Sequence, residues 1–142
     1  MKINGDGVDL VARVDGAEDA SAPTIMFANS LGTTLHLWDP ILPLLPAGLR
    51  IVRYDMRGHG LSDVPDAPYT MGQLVSDAAV VCDALNVRDA MFVGLSVGGM
   101  VAQGLAVQSP LSTPVGANRR VALMAACAGA KFTAVRSSAA NV

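Results

Sequence analysis

Gly94-Leu95-Ser96-Val97-Gly98 fits the pattern G-x-S-x-G, which sets a serine hydroxyl on a sharp strand-to-helix turn as a nucleophile for acyl transfer. The pattern is short, so its context matters. Here an apolar run, Ala90 to Leu95, precedes the serine and a Gly/Ala-rich segment follows it. Small residues are needed at Gly94 and Gly98 because a side chain at either position would crowd the turn. Gly99 and Ala102 continue that small surface and let the following helix lie close to the sheet. The N-terminus of this helix favours negative charge beside Ser96. Attack on a carbonyl also creates an oxyanion, which needs hydrogen-bond donors. The N–H of Val97, next after the nucleophile, is one candidate. The loop Asn29-Ser30-Leu31-Gly32-Thr33 follows the third expected strand and supplies the other, by position the N–H of Leu31.

These groups must be held by a scaffold, and the hydrophobic pattern describes one. Short strands are expected at Met1 to Asn4 and Val8 to Val14, with Gly5, Gly7 and Gly16 at turns. Thr24 to Asn29 is an apolar strand, and a helix begins near Thr34 and carries Leu37, Trp38, Ile41, Leu42 and Leu45. Pro43 limits its length. Arg50 to Asp55 is the next strand, followed by a polar Gly/Pro-rich loop from Met56 to Tyr69. Met71, Leu74, Val75, Ala78, Val81, Cys82 and Leu85 then recur at spacings of three and four, the stripe of an amphipathic helix. Thr70 and Gln73 make a capping box at its start. Ala90 to Leu95 is a strand, Val97 to Gln108 a helix, Pro110 and Pro114 mark a loop, and Val121 to Ala126 reads as one more strand. Strands alternating with helices imply an α/β fold with a mostly parallel sheet and right-handed crossovers.

Composition narrows the function. The 142 residues are 51% hydrophobic and 15% charged, which suits strands buried on both faces. A net charge of −2 and the absence of a basic patch argue against a nucleic-acid partner. The N-terminal stretch is charged and lacks the apolar core of a signal peptide, and Val121 to Ala130 is too short to span a bilayer. Neither a membrane nor a secreted location is expected. Cys82 and Cys127 sit in apolar surroundings and read as buried free thiols in a reducing cytoplasm.

Three stretches carry a resemblance: Phe27-Ala-Asn-Ser-Leu-Gly-Thr33, Tyr54-Asp-Met-Arg-Gly-His-Gly-Leu-Ser62 and Phe92-Val-Gly-Leu-Ser-Val-Gly-Gly-Met-Val-Ala-Gln103. They are similar to the α/β-hydrolase family, and within it look most like the 3-oxoadipate enol-lactonases. Those enzymes have an Asn-Ser-Leu-Gly loop where many relatives have His-Gly, and a Gly-Leu-Ser-x-Gly-Gly-Met elbow. Trp38-Asp39-Pro40 and Pro68-Tyr69-Thr70 are similar too. Related esterases and cofactor-free haloperoxidases share much of the pattern. Ser96 disfavours the epoxide-hydrolase and dehalogenase branches, which place Asp there. The resemblance covers about residues 1–108. It implies that Ser96 opens a lactone to an acyl-enzyme, with Leu31 and Val97 N–H groups on the oxyanion. A histidine and its orienting acid activate first serine and then water. The substrate would be a small lactone or ester, in bacterial breakdown of aromatic compounds, with no metal or cofactor.

The chain departs from that family after the nucleophile. The triad order is serine, acid, histidine, yet no Asp, Glu or His follows Ser96. All 12 acidic residues lie at or before Asp89, and both histidines, His36 and His59, precede the serine. His59 lies in a stretch shared by family members of very different substrates and reads as a structural turn, and Asp55 as a strand-end partner. Residues 109–142 form an atypical tail, with one more strand and then truncated or frameshifted sequence. The expectation is the N-terminal part of the fold, without its C-terminal strands. Such a chain lacks efficient turnover and self-associates through an exposed sheet edge.

Overall fold

The computed structural model describes residues 1–108, 120–126 and 133–136. The loop read at Pro110 and Pro114 and the thiol read at Cys127 lie outside them. The described strands are β1 (Lys2–Gly5), β2 (Val8–Gly16), β3 (Thr24–Ala28), β4 (Arg50–Tyr54), β5 (Asp89–Leu95), β6 (Arg120–Ala126) and β7 (Thr133–Arg136). They form one sheet in the order β1-β2-β4-β3-β5-β6-β7. The inner strands β4, β3, β5 and β6 run parallel, whereas the β1–β2, β2–β4 and β6–β7 pairs are antiparallel. The antiparallel strand β7 is an element that the hydrophobic pattern does not announce.

Two helices, α1 (Met71–Ala84) and α2 (Val97–Gln108), cover one face. The α1 stripe of Val75, Ala78, Val81 and Cys82 meets Met26, Val52, Tyr54 and Phe92 of the sheet in one core, which Val101, Ala102 and Leu105 of α2 complete. Burial of this kind stabilises by about 25 cal/mol per Å² of apolar surface removed from water. At the start of α1 the Thr70 hydroxyl accepts from the Gln73 N–H while the Gln73 side chain accepts from the Thr70 N–H. The capping box therefore forms as its spacing implies.

The segment after Thr34 differs from expectation in type. Leu35–Leu44 is a 3₁₀ helix rather than an α-helix. Pro40 and Pro43 each lack an N–H, and their rings clash with the preceding α-helical turn, so only the tighter winding persists. This helix covers part of the second sheet face, where Trp38 packs on Phe27 with ring centroids 4.6 Å apart. Met91 of β5 alternates with the core-facing Ala90 and Phe92 and is left exposed on that second face.

Buried charges tie the periphery to the sheet. Arg53 of β4, 1% exposed, donates to Asp15 of β2 (2.9 and 2.7 Å), to the Leu35 carbonyl (3.1 Å) and to Asp39. Arg57, just beyond β4, makes a two-pronged pair with Asp77 of α1 at 2.7 Å on both sides. Arg53 is compensated by these carboxylates, whereas buried Arg50 donates from one Nη to the Leu85 carbonyl at the end of α1 (2.9 Å), and its Nε and other Nη find no partner among the described residues.

Candidate active site

Ser96 stands between β5 and α2 with φ of 55°, a left-handed conformation that costs a non-glycine residue about 1–2 kcal/mol. Its side chain is exposed, and its carbonyl accepts the N–H groups of Gly99 (2.8 Å) and Met100 (3.2 Å), the first bonds of α2. The strained turn survives because the backbone packs where side chains would otherwise lie. A Cβ on Gly94 would overlap the Gly98 carbonyl and the Gly99 nitrogen. A Cβ on Gly98 would overlap the carbonyl groups of Ala28 and Asn29. The two flanking glycines are thus required by contacts of backbone on backbone.

Strand register brings the second half of the site alongside. In the parallel β3–β5 pair Ala28 lies opposite Gly94, so the loop leaving β3 and the elbow leaving β5 emerge side by side. The structure thus brings together the loop containing Leu31 and the segment Ser96-Val97. Leu31 is 73% exposed. Among the described residues, no acceptor takes the backbone N–H of Leu31 or of Val97.

Asn29 and Thr33, within the loop marked by sequence, shape it through hydrogen bonds that the motif does not announce. Asn29 is fully buried; its amide nitrogen donates to the Tyr54 carbonyl (3.1 Å) and its oxygen accepts from the Trp38 indole (2.9 Å). The Thr33 N–H and hydroxyl both turn back onto the Ser30 carbonyl (3.2 and 2.7 Å). An amide side chain beginning a Gly-containing loop beside a tryptophan is the only signal the sequence offers.

Both histidines have other engagements. His59 accepts the Gly32 N–H at Nε2 (2.9 Å), and its Nδ1 lies 3.0 Å from the Arg57 carbonyl. These two contacts call for the tautomer with its proton on Nδ1, because Nε2 accepts the Gly32 N–H and a carbonyl cannot donate. His36 is exposed and pairs through Nδ1 with Asp39 (2.8 Å). Asp55 is buried and spends its two oxygens on the N–H groups of Leu35 (2.7 Å) and Leu61 (3.1 Å).

Electrostatic shifts fall on structural groups. Hydrogen bonds from His36 and then Arg53 hold the Asp39 carboxyl below its usual range. The Asp77 carboxylate raises the Arg57 guanidinium further above neutrality. Burial pushes the Tyr54 phenol far above its ordinary value, and nearby Cys82 and Asp77 add to the effect. Among the described residues no group of three His, Cys, Asp or Glu side chains is placed to hold a metal ion, and no helix is long and apolar enough to cross a membrane.

Residues 23–130 match the family model described as the alpha/beta hydrolase fold. The chain is 41% identical over 107 residues to 3-oxoadipate enol-lactonase 1 of Acinetobacter baylyi, covering 75% of this chain and 39% of that protein. Among solved structures, a hydrolase from Pseudomonas aeruginosa PA01 superposes with a TM-score of 0.70 at 50% identity, over 76% of this chain and 40% of the other. The enol-lactonase from Burkholderia xenovorans LB400 superposes with a TM-score of 0.72 at 40% identity, over 77% and 42%. The chain therefore spans about two-fifths of the length of these relatives. With the strand order, the strained serine elbow and the match over most of its length, the chain belongs to the α/β-hydrolase family.

Proposed function

We propose that this chain carries the nucleophile and oxyanion donors of a serine hydrolase that opens a small lactone or ester. An enol-lactone of the 3-oxoadipate type is the favoured substrate, within cytoplasmic breakdown of aromatic compounds. The observation that carries the reading is the exposed Ser96 at φ 55°, framed by Gly94 and Gly98 and set beside the loop that leaves β3. Similarity to two enol-lactonases supports the substrate class.

In this reading Ser96 Oγ attacks the lactone carbonyl. The N–H groups of Leu31 and Val97 receive the oxyanion, and collapse of the tetrahedral adduct expels the enolate and leaves an acyl-Ser96 ester. Water then hydrolyses that ester. Both proton transfers need a base, and no Asp, Glu or His follows Ser96 in these 142 residues. The only two histidines are committed elsewhere, His59 through both ring nitrogens and His36 to Asp39. Efficient turnover thus requires a base from outside residues 1–142, since triad members act as a unit. No metal or cofactor takes part.

The test is a fluorophosphonate probe on the 142-residue chain, with adducts located by mass spectrometry and Ser96→Ala as control. The reading expects any adduct to fall on Ser96 and to vanish in the control. It also expects no lactone turnover at rates typical of enzymes, around 1–10³ s⁻¹. Labelling at another residue contradicts the nucleophile assignment, and turnover at enzymic rates contradicts the missing base.

A further inference from the structure

We infer that His59 is a positioning residue for the oxyanion loop: its Nε2, by accepting the Gly32 N–H, holds the peptide plane that follows Leu31 and completes the fixing of the backbone around the Leu31 N–H. The inference rests on the reading of Leu31 as an oxyanion donor.

The loop between Ala28 and Thr34 is fixed unevenly. Its start is held by Asn29, buried and hydrogen-bonded on both sides of its amide. Its end is closed by the two bonds from Thr33 to the Ser30 carbonyl. Those bonds also hold the Ser30–Leu31 peptide, whose plane contains the Leu31 N–H, but the next peptide, Leu31–Gly32, has neither kind of support. The Leu31 side chain is 73% exposed, and Gly32, at φ 72°, has open space around its α-carbon. Packing therefore does not define the Leu31–Gly32 peptide.

One hydrogen bond does. The Gly32 N–H belongs to the same peptide plane as the Leu31 carbonyl. Holding that N–H on His59 Nε2 at 2.9 Å fixes the plane, and with it the ψ angle of Leu31. Thr33 holds the Ser30 carbonyl, and with it the plane of the Leu31 N–H, so the two sets of bonds together fix the peptides on both sides of Leu31. Such preorganisation is what makes an oxyanion donor effective, because it need not reorient as charge develops.

The imidazole is itself well anchored. Its Nδ1–H donates to the Arg57 carbonyl (3.0 Å), its own N–H donates to the Met56 carbonyl (3.0 Å), and the Arg57 guanidinium is clamped on Asp77 of α1. The two ring contacts demand one tautomer, so the donor to Arg57 and the acceptor from Gly32 reinforce each other. The turn after β4 thereby steers the loop after β3, and α1 stands behind the turn.

The experiment is amide hydrogen exchange by NMR on the ¹⁵N-labelled chain, its His59→Asn variant and its His59→Gln variant. Asparagine keeps a donor for the Arg57 carbonyl and places nothing at the Nε2 position; glutamine can bring an amide oxygen there. His59→Asn should speed Gly32 exchange about fivefold or more, move the Leu31 amide resonance and leave β3 and β4 protected. His59→Gln should hold Gly32 near its original rate. Unchanged Gly32 exchange in His59→Asn overturns the inference. So does loss of protection throughout β3 and β4 in both variants, which would make the residue a general support of the fold. Fluorophosphonate labelling of the same samples separates this from the serine reading. A labelled Ser96 with Gly32 unmoved by His59→Asn removes the positioning role alone. Labelling at a residue other than Ser96 with Gly32 freed by His59→Asn removes the serine reading alone.

Discussion

The α-carbon of Gly98 lies against the carbonyl of Ala28, leaving no room for a methyl group between the elbow and the end of β3. Gly98→Ala must therefore push apart the two segments that hold Val97 and Leu31. A backbone obstacle cannot rotate away, so a loss of about 2–4 kcal/mol is expected, at the severe end for single substitutions. Gly94→Ala should behave alike, since it meets the Gly98 and Gly99 backbone. Gly72→Ala is the contrast: it lies in the first turn of α1 with only the Thr70 hydroxyl near, at 3.9 Å, and should gain up to about 1 kcal/mol. Circular dichroism melts of the three variants check the order.

Ser96 holds a conformation that only glycine adopts freely. Ser96→Gly should raise stability by about 1 kcal/mol over Ser96→Ala, because the alanine keeps the strained φ and the glycine does not. Both should lose fluorophosphonate labelling. Equal melting temperatures would mean that the turn relaxes without cost.

Asp77 compensates a buried cation. With Arg57 and Asp77 side chains 5% and 1% exposed, Asp77→Ala leaves the guanidinium in the core without its partner. The expected loss is about 3–5 kcal/mol, a large part of a typical domain's stability. Replacing both residues by apolar ones should cost less than Asp77→Ala alone. Denaturant titration of the single and double variants measures the difference.

Tyr54 is fully buried, and among the described residues its hydroxyl has no hydrogen-bond partner. Tyr54→Phe removes that unmet group and should stabilise by about 1 kcal/mol at neutral pH. The pH dependence has a definite sign. The folded phenol ionises well above the ordinary value of 10.0. Below pH 10 both folded and unfolded tyrosine keep the proton and stability is unaffected. As pH rises past 10 the unfolded chain releases the proton and the folded one holds it, so stability falls. Tyr54→Phe should lose less stability between pH 9 and 11 than the parent chain, as read from melts across that range.

The parts of this molecule legible in sequence are those whose causes are local. The glycine frame of Ser96, the Thr70–Gln73 capping box and the apolar stripe of α1 all arise within a few residues. Proline positions already warn against a full α-helix at Leu35–Leu44, but the packing of Trp38 on Phe27 is not announced by the sequence. The burial of Arg53 and Arg57 depends on Asp15, Asp39 and Asp77, which arrive from other elements. The long-range hydrogen bonds of Asn29 and His59 are hidden for the same reason. Their partners are Tyr54 and Gly32, each more than twenty positions away, and no spacing rule connects them.

The order of strands also sets a timetable. β3 is paired on one side by β4 and on the other by β5, and β5 is made long after β3. At about 5–20 residues per second, a ribosome needs several seconds to pass from the end of β3 to the end of β5. For that interval the inner edge of β3, with Met26 and Phe27, has no strand beside it and is open to pairing with another chain. The nascent polypeptide thus carries an open inner edge before Ser96, the residue just past the end of β5, has been synthesised.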